Sequence, residues 1–191
     1  MPKIILASGS PQRRYLLEEA GIPFEIIVSN ANETRVKAYT LGDQLNDIAM
    51  RKALTVMDKL DTNEDYIIVA ADQNILFQGN LYGKPSNIAE ARQIIKSMQN
   101  SDQIYSYVGN TVLYVSNGKI IDSISKYDIA RMKMGYISDK KLENYLKTKC
   151  PLAKCGGINI LETPSLLLVE GKRSTAIGMT IEYLQEMLSK F

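Results

Sequence analysis

The chain has no histidine and no tryptophan. Without imidazole there can be no His-based triad, no imidazole metal ligand and no histidine general base. Cysteine is nearly absent. Cys150 and Cys155 stand in a Cys-x4-Cys arrangement with no further thiol to complete a zinc tetrahedron, and they read as reduced structural thiols. Long apolar runs are missing as well. "YIIVAA" and "SLLLV" are far too short to span a bilayer, and "MPKIILAS" is too short for a signal peptide. Charge of one sign is not in excess: 23 Lys+Arg against 21 Asp+Glu give +2, with no block of like charge. That balance excludes an electrostatic case for nucleic acid or a membrane surface as partner. The expectation is a soluble cytoplasmic protein whose chemistry, if it has any, uses carboxylates, lysines, arginines, hydroxyls and an oxygen-bound divalent metal.

What is present is ordinary globular composition, 45% hydrophobic over 191 residues, enough for one sizeable α/β domain over 1–191. Ile4–Ala7 reads as a short buried strand. Ser10 and Pro11 suit the cap and first position of a helix running to Ala20 and stopped by Gly21. "FEIIVS" reads as a second strand. Leu45–Leu60 carries an apolar stripe at helical spacing. "YIIVAAD" reads as a buried strand ending at Asp72, "GNLYGKP" as a loop, and Ile88–Met98 as an amphipathic helix. Residues 104–136 are strand-like, with a hairpin at Asn117-Gly118. A helix over Asp139–Lys147, a Gly-rich turn at Lys154–Gly157, a short strand and a C-terminal helix over Ile181–Ser189 complete an α/β fold with a mixed, bent sheet.

Several residues invite chemistry, each beside a plainer reading. The turn Ser8-Gly9-Ser10-Pro11 leaves backbone N–H groups at a helix N-terminus, which suits an anion, and Arg13 or Arg14 could add a planar fork. A capped helix with solvated arginines would look the same. Asp72 could hold a metal or accept a proton, or merely cap a loop through Asn74. Lys52 falls inside the apolar stripe of its helix, so it either snorkels to water or meets an internal anion. Glu33 in "SNANETR" and Lys84 in "YGKP" are unremarkable singly. Together, two carboxylates, two lysines and an arginine near a helix N-terminus suit phosphoryl or nucleotidyl chemistry with Mg²⁺ or Mn²⁺. No Walker P-loop occurs.

The ordered set "IILASGSPQRR", "NET", "AMRKA", "IIVAADQ", "LYGKP", "SDKKLENYL", "PLAKCGG" and "AIG" resembles the Maf family of nucleoside triphosphate pyrophosphatases across essentially the whole chain. The resemblance implies an α/β fold of two lobes around a central cleft, related to the inosine-triphosphate pyrophosphatases, and a homodimer. It implies metal-dependent hydrolysis of a nucleoside triphosphate to the monophosphate and pyrophosphate. Carried onto this chain, Asp72 matches the proton acceptor and Glu33 its acidic partner, the two being the metal-binding pair. Ser8, Ser10 and Arg13 match the phosphate-binding opening motif, and Lys52 and Lys84 the phosphate-binding lysines.

Four features bear on the substrate. Asp72 is followed by Gln73, and "CPLAKCGG" places Pro-Leu before the Gly turn, as in the branch that hydrolyses 7-methyl-GTP. That branch usually has Trp where this chain has Gln12, and a Glu after the Gly turn that Glu162 approximates. The resemblance therefore favours 7-methyl-GTP, with dTTP or UTP as the alternative, and a non-catalytic nucleotide-binding regulator of cell division as a reading of another class.

Overall fold

The computed structural model describes residues 2–36 and 40–191. Its elements are, in chain order, β1 (Lys3–Leu6), α1 (Pro11–Glu19), β2 (Glu25–Ile26), α2 (Leu41–Met57), β3 (Tyr66–Phe77), β4 (Asn80–Tyr82), α3 (Ile88–Met98), β5 (Ser101–Ser116), β6 (Lys119–Met134), α4 (Asp139–Lys147), β7 (Leu166–Glu170), α5 (Arg173–Ile177) and α6 (Ile181–Leu188). Two short 3-10 turns, Cys150–Ala153 and Cys155–Gly157, lie between α4 and β7. The strands form one mixed seven-stranded sheet in the order β2-β1-β3-β5-β6-β7, with β4 paired to β3. β1 runs parallel to both β2 and β3, whereas β4 on β3 and β7 on β6 are antiparallel. The α/β class read from the sequence is the class observed.

Five elements differ from expectation. β3 does not end at Asp72 but continues to Phe77, and "GNLY" is not simply a loop: Asn80–Tyr82 folds back on it as β4. The reason is local. Ile75 and Phe77 go on alternating into the core, and Gln78 and Gly79 both take positive φ, the geometry of a two-residue hairpin. Conversely, "FEIIVS" pairs over Glu25–Ile26 only. α2 starts four residues earlier than its stripe, at Leu41, because the Thr40 side chain accepts a hydrogen bond from the Asp43 N–H and caps it. α5 is an element that the periodicity did not reveal.

The chain forms two compact units: Met1–Asp72 with Val108–Asp128 and Gly178–Phe191, and Gln73–Tyr107 with Ile129–Ile177. In the first, Ile5, Ala7, Ile68 and Ala70 from the parallel pair bury against Ala53 and Val56 of α2 and against Leu113 and Val115 of β5. α2 lies directly on β5. A Cβ on Gly109 would come within 2.2 Å of the Leu45 carbonyl carbon and 2.4 Å of the Asn46 nitrogen, and the Asn110 N–H donates to Asn46 Oδ1. Gly109→Ala is therefore expected to force α2 off the sheet and cost about 1–3 kcal/mol, the usual range for overpacking. It should read as a lowered urea midpoint at unchanged slope.

In the second unit, Ile75 and Phe77 pack with Ala91, Ile95 and Met98 of α3, Met132 and Met134 of β6, and Leu142 and Leu146 of α4. Tyr145 of α4 is buried in the same core. Its hydroxyl donates to the Gly157 carbonyl and accepts from Thr163, and burial pushes its pKa up to about 12.

Candidate active site

The opening turn is organised by its own side chains. Ser8, buried at the end of β1, accepts hydrogen bonds at Oγ from the Ser10 N–H (3.2 Å) and from Arg13 Nη1 (3.0 Å). Arg13 Nε donates to the Gly178 carbonyl at 3.0 Å, so the guanidinium is pinned at two points. Ser10 takes the N-cap position of α1, but its hydroxyl donates to Gln12 Oε1 (3.1 Å) and makes no cap to the backbone. The first-turn amides of α1 thus have no side-chain cap. Arg14, by contrast, points outward to an exposed ion pair with Glu18.

The second cluster centres on Lys52. Its residue is 8% exposed on the inward face of α2, and Nζ does not snorkel out. It lies 2.7 Å from Asp72 Oδ1 and 3.0 Å from Glu33 Oε1, one ammonium held between two carboxylates. The Asp72 side chain is 14% exposed, whereas that of Glu33 is 60% exposed, so the pair has a sheltered arm and a wet one. Asp72 is directed at Lys52 and sits inside β3, not at its end. The register Leu6↔Val69 places Ser8, two residues beyond Leu6 and past the end of β1, at nearly the same level of the sheet as Asp72, three beyond Val69 and still within β3. The opening turn and the Asp72 carboxylate are thereby brought close to the end of the β1–β3 pairing, where ligands of α/β sheets collect.

The remaining candidates belong to the second unit. Gln73 Nε2 donates to Ser106 Oγ (2.8 Å), and this fully buried serine donates onward to the Thr175 carbonyl (3.1 Å), so the amide of Gln73 is fixed in orientation. Lys84 is exposed in the turn after β4, whose Gly83 carbonyl accepts from the Gly156 N–H at 2.8 Å. Gly156 sits at φ +62°, in the left-handed region, and packs close on Ile75 and Met98. Glu162 pairs with Lys154 Nζ, which also lies 5.5 Å from the Tyr145 ring centroid; burial pushes the Lys154 pKa down. Neither cysteine is in a disulfide, and Cys155 Sγ donates to the Gln73 carbonyl.

The oxygen-only pair Glu33 and Asp72 fits a hard divalent cation, because both carboxylates already converge on one positive centre. Among the described residues, no group of three or more His, Cys, Asp or Glu gathers as a metal cage. Further ligands would have to be water or phosphate oxygens, the usual habit of Mg²⁺. One residue escaped the sequence reading. Arg51, next to Lys52, reaches the carbonyls of Asn32 and Thr34 on either side of Glu33. The signal available for it was the i,i+4 pair with Asp47.

Among the described residues, no helix is long and apolar enough to cross a membrane. In comparisons with known proteins, a dTTP/UTP pyrophosphatase of Bacillus thuringiensis subsp. konkukian (strain 97-27) is 33% identical over 195 residues, covering 100% of this chain and 96% of the relative. One from Bacillus anthracis is 32% identical with the same coverage. Both names carry the alternative substrate of the sequence reading, not 7-methyl-GTP. A solved structure of a nucleoside-triphosphatase / dITP/XTP pyrophosphatase from Mycobacterium abscessus ATCC 19977 / DSM 44196 aligns over 98% of this chain and 96% of its own. Its TM-score of 0.35 and 14% identity are too low to bear on function. The sequence model of the Maf family, described as Maf-like protein, matches residues 3–191, and the chain belongs to that family.

Proposed function

We propose that the chain is a nucleoside triphosphate pyrophosphatase that splits the α–β phosphoanhydride with water, leaving the monophosphate and pyrophosphate. The observation that carries this reading is Lys52 Nζ held between Asp72 and Glu33. Asp72, the sheltered carboxylate of the pair, takes the proton that the attacking water loses. Glu33 and Asp72 would hold a Mg²⁺ or Mn²⁺ ion, which when bound offsets triphosphate charge and makes its water easier to deprotonate. Lys52 then turns its ammonium to phosphate oxygens, and Arg13, with the uncapped amides of α1 and the Ser8 and Ser10 hydroxyls, receives the rest of the chain of phosphates. Lys84 supplies a further phosphate charge. The departing pyrophosphate leaves with the electron pair of the broken bond.

For the base, the relatives named dTTP/UTP pyrophosphatase support a pyrimidine triphosphate as substrate. The second reading, 7-methyl-GTP, is supported by the Asp72-Gln73 step, which resembles that branch of the family; the Gln73 amide is held in one orientation by Ser106. Gln12 and Glu162 are the other positions proposed to bear on base choice. Pyrophosphate release from dTTP, UTP, 7-methyl-GTP and the common triphosphates with Mg²⁺ or Mn²⁺ tests both levels. The highest kcat/KM is expected with dTTP and UTP. A 7-methyl-GTP preference would replace the base assignment and leave the chemistry standing. Tight triphosphate binding without release from any substrate would overturn the enzyme reading in favour of a nucleotide-binding regulator.

A further inference from the structure

The loop that carries Glu33 has little structure of its own. Among the described residues, the backbone of 29–36 bonds to no other backbone segment. Its internal ties are two side-chain turns, Ser29 Oγ accepting from the Ala31 N–H and Asn32 Oδ1 from the Thr34 N–H. Such turns shape a loop locally without anchoring it to the rest of the fold. The anchor comes from α2. Arg51 Nη1 donates to the Asn32 carbonyl and Nη2 to the Thr34 carbonyl, the latter at 2.8 Å. The same Nη2 meets Asp47 Oδ2 at 2.7 Å, one turn back on the helix, which sets the plane of the fork.

Two carbonyls accept from one rigid guanidinium, and Glu33 lies between them in sequence. The peptide plane just before Glu33 (32–33) and the plane one residue beyond it (34–35) are thus held, which restricts where its Cα can lie between them. The neighbouring residue on α2, Lys52, takes the carboxylate of the same glutamate at 3.0 Å. α2 therefore holds the main chain on either side of residue 33 through Arg51 and the Glu33 side chain through Lys52. The main-chain grip matters because the Glu33 side chain is 60% exposed and is not confined by packing. An acid needed in a fixed place, on a loop without backbone pairing, loses effectiveness when its support is loose.

We propose that Arg51, oriented by Asp47, is the positioning residue for Glu33, acting by its two-carbonyl fork and not by its charge. A lysine would keep the charge but has no planar fork to span two carbonyls. Glu33 matters to catalysis only if the pyrophosphatase reading holds, so activity and loop order are read separately.

The experiment uses the full chain with Arg51→Ala and Arg51→Lys, and Glu33→Gln as reference. Amide hydrogen exchange over 31–35 is expected to rise about tenfold in both Arg51 variants while the centre of α2 stays protected. In both, kcat for pyrophosphate release falls on the order of tenfold, with KM for the triphosphate and the melting temperature near the wild-type values. Unchanged exchange over 31–35 in Arg51→Ala overturns the proposal. So does a wild-type kcat in Arg51→Ala when Glu33→Gln is impaired, and so does full recovery of exchange and kcat by Arg51→Lys. If Glu33→Gln itself turns over normally, the catalytic reading of Glu33 fails, and the exchange data still decide whether Arg51 clamps the loop.

Discussion

Asp72→Asn is expected to lower kcat for pyrophosphate release by about 10²–10⁴-fold, the range for removing a positioned general base. The amide has nearly the size of the carboxylate and can still accept a hydrogen bond from Lys52 Nζ, now 2.7 Å from Oδ1. The fold is therefore expected to survive, and a thermal melt near that of the wild type checks it. What the amide cannot do is take the proton from water or lend a negative oxygen to a divalent cation. KM for the triphosphate should move little, because the opening turn of Ser8, Ser10 and Arg13 is organised without Asp72. A kcat within a few-fold of wild type would remove Asp72 from the role of proton acceptor. The metal dependence adds a second reading: the Mn²⁺ concentration for half-maximal activity should rise in the variant, since one of two carboxylate ligands is gone.

Lys52→Met should show the larger effect on stability. Methionine fills much of the space of the lysine stem, so the loss is electrostatic. Without the ammonium, Asp72, with its side chain 14% exposed, keeps a charge with no partner beside a second carboxylate. Breaking a buried pair by removing one partner costs about 3–5 kcal/mol. Water reaches the 60% exposed Glu33 and screens that arm, which places the expectation near the lower end, about 3 kcal/mol. For a chain of this size that is a fall of roughly 10 °C in melting temperature. Mn²⁺ or Mg²⁺ should restore more stability to Lys52→Met than to wild type, because Glu33 and Asp72 would hold the cation and it would offset the charge the ammonium no longer offsets. A variant as stable as wild type, or one that the metal does not favour, would show that the three groups are not coupled. Activity should fall on the order of 100-fold through loss of charge on the phosphates.

Both expectations depend on residues whose types were visible in the sequence but whose meeting was not. Lys52 stood out because a charged residue sat within a helical apolar stripe, and Asp72 because it closed a run of buried residues. Whether Lys52 snorkelled or met an anion depended on what lay opposite. Glu33 comes from a loop 19 residues upstream and Asp72 from a strand 20 residues downstream, and helical periodicity carries no information on either. Arg13 and Arg14 are adjacent and chemically identical. Only the fold made one a pinned group on Ser8 and Gly178 and the other a surface partner of Glu18.

The sequence by itself determined the class, the ends of α1, α3 and α4, the Asn117-Gly118 hairpin and the kind of chemistry open to a chain without histidine. These depend on local preference and composition, which neighbouring residues fully express. The tertiary structure decided that Arg13 reaches the Gly178 carbonyl, that Lys52 lies between Glu33 and Asp72, that Gln73 is fixed through Ser106, and that Arg51 grips the loop of Glu33. Each of these turns on contacts between residues far apart in sequence. Such contacts become definite only when the sheet order brings β1 beside β3 and Gly109 lets α2 lie against β5.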